Sequence, residues 1–205
     1  MNAKITYQTD FLAGVVWENT LLMNHYYLEL DFITNTADPV DQNVALLRIR
    51  HILEDRLTDS YFVRQDDQDT IERLQLASAK VSELPEDPVD QVIGMILFNK
   101  ISAITEEKLI MKTLKIKSQL GDSIIYEHDS DDAEFFAGDG WWNHPGPHCS
   151  DFVPMALDSI ENLRIIYNAK QWRELNMYWN SDGPVAGESG NVVIFDEHKK
   201  DHSDS

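Results

Sequence analysis

The residues best suited to chemistry lie late in the chain. His144, His148 and Cys149 fall as H-x-x-x-H-C. Imidazole and thiolate are side chains that zinc prefers, so the trio is a candidate metal site. Pro145 and Pro147 put it in a loop, where neither helix nor strand fixes the ligands' mutual direction. The alternative is a turn whose histidines are incidental. Trp141-Trp142, just upstream, is a candidate interaction surface, because an indole combines a large apolar area with one donor. The alternative is that both rings fold back as local core. Asp66, Asp67 and Asp69 read as a solvated helix start rather than a metal site. The stretch from Gly183 to Gly187, with Gly190, has neither the spacing of a dinucleotide fingerprint nor the lysine of a phosphate loop, and reads as a flexible connector. No nucleophile-elbow sequence occurs.

Composition narrows the function classes. The 205 residues carry a formal charge of -19. Such a surface repels phosphates, which argues against direct nucleic-acid binding; the charge reads first as keeping the chain soluble in a salty or crowded place, with a basic partner or imitation of nucleic acid in another protein's groove as the alternatives. An apolar share of 42% is enough for a core. The single cysteine leaves no internal disulfide and fits a reducing compartment. No apolar run reaches the ~20 residues that span a bilayer, and the first residues lack the pattern of a signal peptide. A cytoplasmic protein is the expectation.

The elements that must position these residues are legible from periodicity. Ile5, Tyr7 and Thr9 alternate with polar neighbours over 4–17. Tyr26, Leu28, Leu30 and Phe32 alternate over 25–34, predicting a hairpin with one dry face. Leu46, Ile49, Leu53 and Leu57 predict a helix over 40–57. Residues 58–84 read as a connector with a short strand at 61–63 and a helix over 66–78, its inward face formed by Ile71, Leu74 and Leu76. A second helix is expected from Pro88 to about Ile104, with an apolar band wide enough to need cover on more than one side. Gly94 inside it marks close packing. Strands over 109–118 and 123–127 flank a turn at 119–122. The words Asp38-Pro39-Val40-Asp41-Gln42 and Asp87-Pro88-Val89-Asp90-Gln91 repeat, and each predicts an aspartate-capped helix start with proline in the first turn. Beyond 128 the composition shifts. A strand near 163–167, a helix near 170–177, a last strand near 192–195 and a loose tail at 198–205 are expected. The domain reading is 1–128 as one unit, 129–197 as an extension packed on it and 198–205 as disordered.

Hairpin, helix, connector, helix, hairpin is the layout of the tunnelling fold. Residues 4–128 resemble the branch holding 6-pyruvoyltetrahydropterin synthase and 6-carboxytetrahydropterin synthase, in order and spacing more than in letters. Met23-Asn24-His25 stands where that branch has His-Gly-His, Thr58-Asp59-Ser60 where it has Leu-Asp-His, and Pro88-Val89-Asp90-Gln91 at its second helix start. The DPVDQ-to-LGD pattern also resembles uncharacterised proteins of marine phages. The resemblance implies an α+β unit with a four-stranded antiparallel sheet, two helices on one face, and homo-oligomers that close the sheet. It does not bring the reaction with it. The family's zinc uses three histidines, and only His25 stands at a ligand position. The catalytic cysteine is absent, and Ser60 replaces the histidine that would move protons. The functional expectation is therefore a non-catalytic, oligomeric protein acting through protein–protein contact. The alternative is a divergent enzyme binding a pterin-like or purine-like molecule in a pocket between subunits, with His25, Asp59, Asp90 and Gln119 as candidates.

Overall fold

The computed structural model describes residues 3–18, 20–133, 140–150 and 171–182. The expected strands near 163–167 and 192–195, the glycine-containing stretch at 183–190, residue 170 at the start of the expected third helix and the tail lie outside the described residues.

Two long strands, β1 (Lys4–Trp17) and β2 (Thr20–Thr34), pair antiparallel in continuous register from Lys4 opposite Ile33 to Trp17 opposite Thr20. The alternation has a direct outcome. Phe11, Ala13 and Val15 of β1 and Tyr26, Leu28, Leu30 and Phe32 of β2 are buried on one face. Helix α1 (Pro39–Arg50) follows and runs on as a π-helical segment, His51–Leu57. It lays Val44, Ala45, Ile49, Ile52, Leu53 and Leu57 on that face. After α3 (Asp90–Thr105), β5 (Leu109–Ser118) pairs with β2, and the short β6 (Tyr126–His128) pairs with β5. The fourth strand of the resemblance is thus present but begins at Tyr126 rather than 123.

The connector is the main departure. It is a complete β–α–β unit: β3 (Ser60–Arg64), α2 (Gln68–Leu76) and β4 (Lys80–Leu84). Both strands are parallel to their neighbours, so the sheet has six strands in the order β4-β3-β1-β2-β5-β6 rather than four. Helix α2 lies on the opposite face from α1 and α3. There Ile71 and Leu74 pack with Val16 and Val63 in a separate small cluster. Leu76, expected inward, is 78% exposed, because α2 ends there and the chain turns away. Asp67, from the acidic run, caps α2 by accepting from the Thr70 N–H.

The repeated pentapeptide folds two ways. Asp38 caps α1, accepting from the Val40 N–H at 2.8 Å. Asp87 does not cap α3. Its carboxylate pairs with Arg64, the chain stays extended through Val89, and the helix begins at Asp90.

Helix α3 is covered on both sides, as its wide apolar band requires. One side meets β5 and β6. Gly94 makes that possible, since a Cβ there would lie 2.5 Å from the His128 ring and 2.8 Å from Ile116. The other side meets residues 140–150. Lys100, fully buried on α3, donates to the carbonyl oxygens of Trp141, His144 and Gly146 at 2.8–2.9 Å. Trp141 donates its indole N–H to the Glu83 carbonyl on edge strand β4. A second cation holds residues 171–182. Arg48 of α1 is sandwiched, with its guanidinium carbon 3.7 Å from the Trp179 ring centre and 4.8 Å from that of Trp172. It also donates to the carbonyls of Met177 and Ile104 and to Glu106. Cation–π contacts of this kind contribute about 1–2 kcal/mol when desolvated.

Candidate functional site

The helix-covered side absorbs the residues that drew attention first. Trp141 and Trp142 are 0% and 4% exposed, so they are core and not an interaction surface. Lys100 fixes their loop, which leaves the rings no route outward. The His144 and His148 ring centres are 5.9 Å apart. Burial beside the Lys100 ammonium pushes the His148 imidazole down to about 4, so it is neutral. Cys149 is buried, and burial pushes its thiol up to about 11. Metals are bound by thiolate, so a thiol held protonated is a poor donor. Among the described residues no three His, Cys, Asp or Glu side chains are arranged to hold a metal ion.

Among the described residues the opposite face of the sheet is open over β1, β2 and β5, and its outward side chains form three polar rungs. Thr6, Lys4 and Thr113 converge on Asp31. Gln8 and Lys115 converge on Glu29. These partners hold both carboxyls below their ordinary range: the Thr6 hydroxyl leads for Asp31, and the Lys115 ammonium for Glu29. The third rung is chemically distinct. Asp10 Oδ2 is 2.6 Å from His25 Nε2, and the Tyr27 hydroxyl is 3.1 Å from His25 Nδ1. Both ring nitrogens of His25 are thereby engaged, which does not suit the ligand role its position in the resemblance implied.

The four pocket candidates gather at one end of the sheet but do not share one face. The Asp59 N–H donates to the Leu12 carbonyl, Leu12 is paired with His25, and the Gln119 N–H donates to the His25 carbonyl. Asp59, His25 and Gln119 therefore lie on one line across the sheet end. Asp59 and Gln119 are exposed, and Asp59 takes φ of 61°, a left-handed conformation that aspartate tolerates better than most. Asp90 sits behind the sheet, on the helix side. Its Oδ2 is enclosed there together with the Tyr26 and Ser118 hydroxyls. Burial raises the Asp90 carboxyl, and the nearby Ser118 only partly offsets this. Burial likewise raises the Tyr26 phenol, with the Asp90 charge adding to it. Gly121 closes over this corner: a Cβ there would lie 2.3 Å from Asp90 Oδ2 and 3.1 Å from Ser118 Oγ.

Sequence reasoning missed Asp10, Tyr27, Tyr26 and Ser118. The i, i+2 spacing of His25 and Tyr27 in a strand was a usable signal, since it puts both on one face. Asp10 joins them only through strand register. Tyr26 reads as plain core, and its hydroxyl matters only because Asp90 arrives from a helix far along the chain.

No protein-family model matches the chain, and no curated protein matches it. Solved structures do. A catalytic-residue mutant of 6-pyruvoyltetrahydropterin synthase from Plasmodium vivax is 12% identical, with 62% of this chain and 97% of that chain covered and a TM-score of 0.42. An uncharacterised protein from Wolinella succinogenes is 12% identical, with 63% and 99% covered and a TM-score of 0.46. The 6-pyruvoyltetrahydropterin synthase of Plasmodium falciparum is 9% identical, with 62% and 96% covered and a TM-score of 0.40. Likeness at this level carries no argument about activity.

Proposed function

We propose that this chain is an interaction protein that works by self-association through the hairpin end of its sheet. The carrying observation is where apolar surface remains uncovered. Leu12, Trp17, Leu21, Leu22 and Met23 are 38–53% exposed at that end, and Leu120, Ile124 and Ile125 are 50–60% exposed around the neighbouring turn. Exposed apolar residues gathered in one place mark an interface. The helix side, by contrast, is clothed by the chain's own tryptophans. The outer edge of β1 supports the reading as well, since β3 pairs with it only at Gly14 and Val15. That leaves most of a long strand edge unpaired within the described residues, and an open edge invites another strand. Light scattering at micromolar concentration tests this. The expected result is an oligomer for the native chain and a monomer for the double variant Leu21→Glu, Met23→Glu, with the thermal midpoint nearly unchanged. A monomeric native chain overturns it.

A second reading, binding of a pterin-like or purine-like molecule, is supported by the line of Asp59, His25 and Gln119 at the sheet end. Thermal shift against guanine nucleotides and pterins is the check: a rise of several degrees with one of them supports the reading, and no rise with any removes it for those ligands.

A further inference from the structure

We propose that Tyr27 is a base-assisted acyl acceptor: a surface phenol whose oxygen attacks an activated acyl group while His25 takes its proton. Carboxylate, imidazole and phenol stand in the order this chemistry needs. Asp10 Oδ2 lies 2.6 Å from His25 Nε2, and Tyr27 Oη lies 3.1 Å from His25 Nδ1. One neutral tautomer satisfies both contacts, with Nε2–H donating to Asp10 and Nδ1 accepting from the phenol. A nucleophile bonded to a base, with the base oriented by a third group, is the general form of an activated hydroxyl.

Strand geometry builds the group. His25 and Tyr27 are two apart on β2, so they share the outward face, with ring centres 4.4 Å apart. Asp10 is paired with Tyr27 in the register of β1 and β2, which makes it the diagonal neighbour of His25. Lys117 is paired with Tyr27 from the other side and sets its ammonium 5.4 Å from the Tyr27 ring centre. A cation there favours the negative charge that grows on the phenol oxygen as the proton leaves.

The surroundings select the electrophile. The chain's formal charge of -19 repels anionic phosphoryl donors. Leu12 and Met23, 45% and 53% exposed, sit on the same face beside His25 and offer apolar contact to an acyl chain. A neutral activated ester is the class that fits. The Tyr27 oxygen bonds to the carbonyl carbon, the ester C–O bond breaks, the alcohol departs as its anion, and the phenol proton passes to His25 Nδ1 and then to solvent. The product is O-acyl-tyrosine, and no oxidant or reductant takes part. The inference concerns the dissociated chain, because self-association through the hairpin end would cover Leu12 and Met23.

The test is p-nitrophenyl acetate with the full chain at low protein concentration, following p-nitrophenolate release and mapping acyl groups by peptide mass spectrometry. The expected result is that Tyr27 is acylated at least ~100-fold faster than the half-buried Tyr61 and Tyr126, the lower end of general-base effects. His25→Gln should remove that advantage. Asp10→Asn should reduce it severalfold, and Asp10→Glu should restore part of it, a rescue that a merely structural aspartate would not give. All three side chains face solvent, and circular dichroism verifies that the variants fold. Acylation of Tyr27 at the pace of Tyr61, or at an unchanged pace in folded His25→Gln, overturns the proposal.

Discussion

The two faces of the sheet deal with charge in opposite ways. On the helix side, charge is buried and fully committed: Lys100 to three carbonyls, Arg48 to two indole rings, two carbonyls and Glu106. On the open side, charge is paired in rungs but faces water, and among the described residues nothing covers the apolar side chains at its end. Buried cations act as bolts there, because removing one strands several acceptors at once. Exposed pairs are nearly free to rearrange. The contrast separates where the molecule is held together from where it is available to others.

The sharpest way to break this contrast is to unbolt the helix side. Lys100→Met and Arg48→Met should each lower unfolding free energy by about 3–5 kcal/mol in urea denaturation, the range for stripping one partner from a buried charged network. If either costs under ~1 kcal/mol, the aromatic segments are not anchored as described. Gly94→Ala comes next. A Cβ would press into His128 and Ile116, so a loss of about 1–3 kcal/mol is expected in the same measurement.

Asp90→Asn tests the corner behind the sheet through pH. Burial raises the folded carboxyl above its unfolded value, so the folded chain binds the extra proton. Asp90 therefore favours folding at acid pH, and that contribution is lost as pH rises through the raised value. The variant should match or exceed the native chain in thermal midpoint at neutral pH and lose its advantage on acidification. Glu29→Gln on the open face should give the smallest effect and the opposite sign. Its folded carboxyl is lowered, so what little it contributes is present at neutral pH and fades as pH falls. No resolvable change in midpoint at neutral pH is expected, and a large drop would mean the open face is structural after all.

Much of the scaffold was legible because its signals are local. Alternation over 25–34, the stripe over 40–57 and the wide band on α3 each depend on neighbours a few residues apart, and the structure keeps all three. The inference from Gly94 to close packing held because only glycine admits a neighbouring ring so near. The candidate site was legible only in pieces. His25, Asp59 and Gln119 do reach one line, but Asp90 lies across the sheet from them.

What the sequence determined by itself is the long hairpin, the two apolar helices and strand β5 with their inward faces, since backbone preference and hydrophobic period act over short range. What tertiary structure decided is who meets whom. The same DPVDQ letters cap α1 through Asp38 but not α3, where the chain stays extended through Val89 and the Asp87 carboxylate lies beside Arg64 on a distant strand. Strand β4 exists because β3 offers it an edge, and Trp141 and Trp142 are core because Lys100 draws their loop inward. Asp10 meets His25 only through pairing of β1 with β2. Each of these outcomes is a competition between partners far apart in the chain, and its winner is fixed only when the whole fold places them.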